Sequence, residues 1–162
     1  MRRFVLATFG VAVALVFGAE PVSAAAPQRF PLDPVHDTAP AGLVCPFNMA
    51  VDSVSINETL TILGNGRVFI TGASVERVSN LDTGKSVDVN VSGPVTISSA
   101  GGVDTFVARG RNLWRFDRDA LGPGQAGSLL LTTGLAVLTQ SASGITFTHN
   151  GGTTENLCET LR

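Results

Sequence analysis

The chain has 162 residues, 11 basic against 13 acidic side chains, a formal charge of −2, one tryptophan and no tyrosine. A mildly acidic balance lacks the electrostatic footprint of a nucleic-acid binder and the basic excess that holds a protein to an anionic membrane surface. Only two cysteines and two histidines are present, with no Cys-x-x-Cys, so a metal or redox centre built on the cysteines is not indicated.

The N-terminus follows the grammar of a secretory signal. Met1-Arg2-Arg3 is followed by an uncharged apolar run over 4–19 and then by small residues around Val22 and Ala24. Cleavage is placed after Ala24, with Ala26 as the second candidate. A retained anchor is disfavoured because the run contains Gly10 and Gly18 and falls short of the roughly 20 residues of a spanning helix. Arg2-Arg3 also permits twin-arginine export, although two arginines equally make an ordinary signal n-region. Loss of 1–24 removes Arg2, Arg3 and Glu20 and leaves 9 basic and 12 acidic residues. The mature protein is therefore expected to be secreted, with no membrane association after cleavage and no nucleic-acid partner.

Residues 25–44 hold Pro27, Pro31, Pro34 and Pro40 without a sustained apolar period, and are read as an extended leader or flexible arm. The period becomes two from Cys45, so 45–162 is read as a single β domain. Phe47, Met49 and Val51 occupy odd positions, whereas Val54, Ile56, Leu60 and Ile62 occupy even ones. A one-residue bulge near Asp52-Ser53 reconciles the two runs and bends one long strand. Gly64-Asn65-Gly66 predicts a hairpin into Val68 and Ile70. Residues 74–81 and 86–92 predict another, closed by Asp82-Thr83-Gly84-Lys85. Ala100-Gly101-Gly102 turns the chain from Val95 and Ile97 toward Phe106. Residues 109–118 hold the only local concentration of charge, and a Gly-rich loop is read over 117–127. Leu129 and Leu131 lead through Thr133-Gly134 into 135–139, and Ser143-Gly144 turns the chain into Ile145, Phe147 and His149. Helical periodicity is confined to the tail, 154–161. About eight to ten strands joined by short turns make an all-β, antiparallel barrel or sandwich, the bulge tilting the choice toward the barrel.

Cys45 and Cys158 stand 113 positions apart. In an oxidising compartment they are expected to form one disulfide that closes most of the domain, worth up to about 4.7 kcal/mol in the chain-entropy description.

Taken together, 78–94 (VSNLDTGKSVDVNVSGP), Cys45-Pro46-Phe47, Leu131-Thr132-Thr133-Gly134 and Leu157-Cys158 resemble a group of small uncharacterised secreted β-rich proteins of high-GC Gram-positive bacteria. This chain has Pro46 where that group has glycine. The resemblance implies export and β structure, and brings no catalytic residue, cofactor or ligand.

No Gly-x-Ser-x-Gly elbow is present. The glycines of 120–127 are not followed by Gly-Lys-Ser/Thr, so no phosphate loop and no cofactor is read. If 109–118 is strand throughout, Arg109, Arg111 and Arg115 share one face, and Trp114 and Phe116 share the other. The arginines then form either a solvated face or a stripe for an anionic ligand, since their planar forks suit phosphate and carboxylate. An outward Trp114 would favour sugar stacking. His149 continues the face of Ile145 and Phe147, as a core cap or as an acid-base group at a barrel mouth. Asp117 and Asp119 give two oxygens of the six to eight that calcium needs.

The leading expectation is a non-catalytic extracellular or envelope-associated module that binds a cell-wall polymer, a glycan or another secreted protein. Candidate ligand residues are Arg109, Arg111, Trp114, Arg115 and His149. The alternatives are a barrel carrier or enzyme with its pocket at the mouth, and an inhibitor that presents the 117–127 loop.

Overall fold

A computed structural model describes residues 26–162. Residues 1–24, expected from the sequence to be a signal peptide, lie outside the described residues. The chain forms strands β1 (Gln28–Pro31), β2 (His36–Ala39), β3 (Met49–Ile62), β4 (Val68–Asn80), β5 (Ser86–Asn90) and β6 (Val95–Ala100). There follow β7 (Val103–Arg109), β8 (Asn112–Phe116), β9 (Ser128–Thr132), β10 (Leu135–Ser141), β11 (Gly144–Asn150), β12 (Thr154–Asn156) and a short helix α1 (Leu157–Thr160). Asn156 caps that helix, its side chain accepting from the Cys158 N–H.

The hairpin β3–β4 is the spine. Its register runs from Met49↔Asn80 to Ile62↔Val68 and slips once, between Ser53 and Ser55, next to the position that the parity change predicts. Around the slip, both neighbours of the hairpin change over. On one side β2 pairs with Met49–Asp52 of β3, and β1 with Thr59–Ile62. On the other, β5 pairs with Val75–Ser79 of β4, and β6 with Val68–Ile70. A strand that bends at a bulge serves two differently directed sets of neighbours in this way. At Gly72 (φ +140°) a Cβ would lie 2.1 Å from the Asn57 carbonyl oxygen, so the bend needs a residue without one.

The inner face of the bent sheet is apolar on both sides of the bend. Met49, Val51, Val78 and Val89 pack on Leu113, Leu129, Leu131 and the Cys45–Cys158 region. Leu60, Ile70, Val95, Ala108 and Leu138 pack on Trp114, Phe116 and Leu130. Odd and even residues of β8 and β9 therefore enter different clusters. The small sheet β12-β9-β8 lies between the two wings of the large nine-stranded one. This explains why every residue of β8 is buried.

The all-β, antiparallel reading holds, as do the hairpins at 64–66, 82–85, 100–102 and 142–144. The disulfide forms between Cys45 and Cys158, with Cα atoms 5.2 Å apart. Three expectations are corrected. The large sheet is not closed into a barrel; it begins at β1 and ends at β11. The Pro-rich stretch is extended but contributes β1 and β2, because prolines are tolerated where an edge strand needs no inward N–H. Finally, β8 and β9 belong to the small sheet and β7 and β10 to the large one, so Gly110-Arg111 and Thr133-Gly134 are crossings between sheets.

Arg115 fixes β2 in place. Its side chain is buried and ion-paired with Asp37 of β2 and with Asp117, the latter at 3.0 Å. Burial opposes the guanidinium charge, but the hydrogen bonds and charges of Asp37 and Asp117 outweigh it and raise the Arg115 pKa above its ordinary value. Arg115→Ala leaves Asp117 buried and unpaired, and is expected to cost about 3–5 kcal/mol in urea denaturation. Hydrogen exchange should show β2 released before the spine.

Candidate functional site

Four chain reversals gather at one end of the molecule: 91–94, 110–111, 133–134 and 151–153. The register sets them side by side. Arg109 at the end of β7 lies opposite Leu135, which lies opposite Asn150. Asn112 at the start of β8 lies opposite Thr132, which lies opposite Thr154. Arg109 N–H donates to the Pro94 carbonyl at 3.0 Å, and Asn112 Nδ2 donates to the Arg109 carbonyl at 3.0 Å. A Cβ on Gly93 would stand 2.4 Å from the Arg109 carbonyl oxygen, so backbone packs directly on backbone beneath the 110–111 turn.

Arg109 and Arg111 sit on this turn, both exposed, and neither makes an ion pair among the described residues. His149 belongs to the same end. Its Nε2–H donates to the Thr133 carbonyl at 2.6 Å, and its Nδ1 shares a hydrogen bond with the Thr154 hydroxyl at 3.0 Å. Both ring nitrogens are thus engaged in joining β11 to the β9–β10 crossing and to β12. The geometry is that of a structural imidazole.

The other two candidates lie inside. Trp114 is 2% exposed, donates from Nε1 to Thr132 Oγ1 at 3.0 Å, and packs at 5.2 Å on Phe147. Its ring face is not open to a sugar. Arg115 is the buried tie described above. The expected stripe of three arginines is therefore corrected: the chain turns at Gly110-Arg111, so Arg109 and Arg115 belong to different sheets. Asp117 and Asp119 do not converge as cation ligands either. Asp117 accepts from Arg115, while Asp119 Oδ1 accepts from the Gly124 N–H at 2.6 Å and closes the 117–127 loop on itself.

One cluster escaped the sequence reading. At the bend of the spine, Glu76 is 6% exposed and accepts from the hydroxyls of Ser53 (2.9 Å) and Ser74 (2.5 Å), with no cationic partner among the described residues. Ser53 Oγ also accepts from the Val35 N–H at 2.8 Å, and Ser92 Oγ from the Ser74 N–H at 2.9 Å. These hydroxyls satisfy backbone groups where the flanking strands change over. Half-buried Glu58 lies nearby, its pKa raised by burial and then by the charge of Glu76. The signal was present in the sequence. Glu58 shares parity with Ile56 and Leu60, and Glu76 with Ser74 and Val78, which places two carboxylates on an inward face.

Set against protein-family models, curated proteins and solved structures, the chain matches none.

A carboxyl whose folded pKa is raised favours the fold most below its unfolded pKa, and that contribution is lost as pH rises through the folded value. Glu58→Gln stays neutral throughout. It is expected to raise Tm near about pH 7 and to match the native protein near about pH 4. Calorimetry across this interval checks the crossover.

Proposed function

We propose that this chain is exported, loses residues 1–24, and acts as a non-catalytic extracellular or envelope-associated module that binds an anionic ligand through Arg109 and Arg111. One observation carries the reading: two exposed guanidinia stand on a single backbone-packed turn, with no carboxylate paired to either among the described residues. Arg77 is held by Asp88 at 2.7 Å, whereas Arg109 and Arg111, like Arg29, Arg67 and Arg118, have no ion pair among the described residues; what sets Arg109 and Arg111 apart is that they share one turn. Two such arginines on one turn are open to phosphate or carboxylate groups, which the planar fork engages bidentately. Ligands of this chemistry include phosphate-bearing cell-wall polymers and acidic glycans. The Cys45–Cys158 bond supports an oxidising compartment.

A second reading draws on the 117–127 loop. It is closed by hydrogen bonds from Asp119 N–H to Gln125 O and from Gln125 N–H to Gly122 O, and it presents Leu121 at 37% exposure. A rigid exposed loop of this kind suits contact with another secreted protein.

Binding measured against a phosphate-bearing wall polymer and an acidic polysaccharide separates the two. Arg109→Ala and Arg111→Ala are each expected to weaken binding about tenfold, to reduce its salt dependence, and to leave Tm unchanged. Binding that survives both substitutions but fails when the loop is shortened transfers the function to the loop. The intact mass of protein recovered from the medium checks export. It should begin at Ala25 and lack two hydrogens relative to the reduced chain, whereas retention of 1–24 would overturn the export reading.

A further inference from the structure

A sheet edge offers unpaired N–H and C=O groups to any strand that reaches it, and soluble proteins blunt their edges with shortness, proline, charge or cover. Most edges here are blunted. β1 has four residues and includes Arg29 and Pro31; β2 has four, bracketed by Pro34 and Pro40. β5 carries Asp88, β12 has three residues, and β8 is buried throughout. β11 is different. It has seven residues, keeps unbroken register with β10 from Gly144 to Asn150, and contains no proline, Asp, Glu, Lys or Arg.

The two-residue turn at 142–143 makes Ser141 and Gly144 the closing hydrogen-bonded pair of the hairpin. By alternation, Ile145, Phe147 and His149 direct their backbone N–H and C=O away from β10, toward the free edge. We propose that this edge pairs with the same strand of a second copy of the chain, antiparallel about a two-fold axis through Phe147. Ile145 then lies opposite His149 of the second copy, and Thr146 opposite Thr148 of the second copy.

The composition of β11 favours a copy of itself over an unlike strand. About a two-fold axis the central side chain directly opposes its own copy and the outward residues beside it stand diagonal to theirs, so a lone charge at 146 or 148 is brought near the same charge of the second copy; β11 carries no Asp, Glu, Lys or Arg. Its outward residues are threonines, which pair across strands by hydrogen bonding. They also continue two rows already laid down by the large sheet, Ser98–Thr105–Thr139–Thr146 and Thr96–Val107–Val137–Thr148. Pairing doubles this uncharged outer face. Edge pairing alone buries less than the ~1,200 Å² of a stable interface, so the dimer is weak and concentration-dependent. Arg109 lies on the next outward row, opposite Leu135 and two strands from the edge. A dimer therefore displays two arginine turns on one sheet, and a polymeric ligand would bind it with avidity. That consequence rests on the proposed function; the pairing itself does not.

Sedimentation equilibrium of the mature protein over rising concentration is the test. Native protein is expected to shift from monomer to dimer. Thr146→Lys with Thr148→Lys opposes like charges twice across the axis and should weaken association by at least about tenfold, with Tm unchanged. Thr146→Lys with Thr148→Glu sets the introduced lysine of each copy against the introduced glutamate of the other, and should restore the dimer. Three results would each overturn the pairing: native protein monomeric at every concentration, a double-lysine variant that associates like the native chain, or a charge-paired variant that fails to recover.

Discussion

The bend in the β3–β4 hairpin is the constraint on which the rest of the structure depends. A 14-residue strand against a 13-residue one, running straight, would offer a single face too long and too twisted for one small partner sheet to cover. The register slip at Ser53/Ser55 breaks that face into two wings that close on both sides of β8 and β9. Backbone groups at the break lose their ladder partners as β2 gives way to β1 and β5 to β6. The side chains of Ser53 and Ser92 replace those partners, and Ser53 and Ser74 donate to Glu76. The concentration of small hydroxyls at 53, 74 and 92 thus follows from the geometry of the bend, and the buried carboxylate is the acceptor that organises them.

The central sheet carries a second constraint. A strand buried on both faces ordinarily reads as a continuous apolar run, yet β8 is Asn-Leu-Trp-Arg-Phe. Each of its polar members has a partner. Asn112 bonds the Arg109 carbonyl, Trp114 bonds Thr132, and Arg115 is held between Asp37 and Asp117. The arginine stem adds apolar cover while its head fastens β2, a strand that is otherwise short and bordered by prolines. Closure of the same wing is shared by the disulfide and by Asn80, whose side chain donates to the Leu161 carbonyl and accepts from the N–H groups of Asp82 and Thr83.

The local half of the fold was legible in the sequence. Gly-containing turns at 64–66, 82–85, 100–102 and 143–144 sit between alternating runs, and the change of parity near Asp52-Ser53 announces the bulge, because both signals are carried by neighbouring residues. What was not legible depends on partners distant in the chain. Nothing in 109–118 says that the strand must leave one sheet at Gly110 for another, so the three arginines looked like one stripe. The Pro-rich stretch looked free because pairing with β3 is a non-local contact. Arg109 and Arg111 were found by charge alone and do reach the surface together. Trp114 entered the core on the face opposite Arg109 and Arg111, as its parity allowed, while Arg115 was misplaced because alternation gives a face without saying what lies against it. Glu58 and Glu76 were missed although parity put them inward, since they stand 18 positions apart and local charge density marks only the arginine run.

The division of labour between the two ends follows from where backbone is fixed. The turn bearing Arg109 and Arg111 is held from below by Gly93, from the side by Asn112, and from the next strand by Leu135. These contacts fix its main chain, which under the proposed function precedes any ligand. Ordering a loop on binding consumes free energy that would otherwise appear as affinity, and a turn fixed in advance avoids that loss. What remains to be ordered is the pair of arginine side chains, whose planar forks lose less freedom per hydrogen bond formed than lysines would. The glycines at this end, which carry no chemistry of their own, are thus as much a part of the proposed site as the guanidinia, because they let backbone approach backbone closely beneath the arginines.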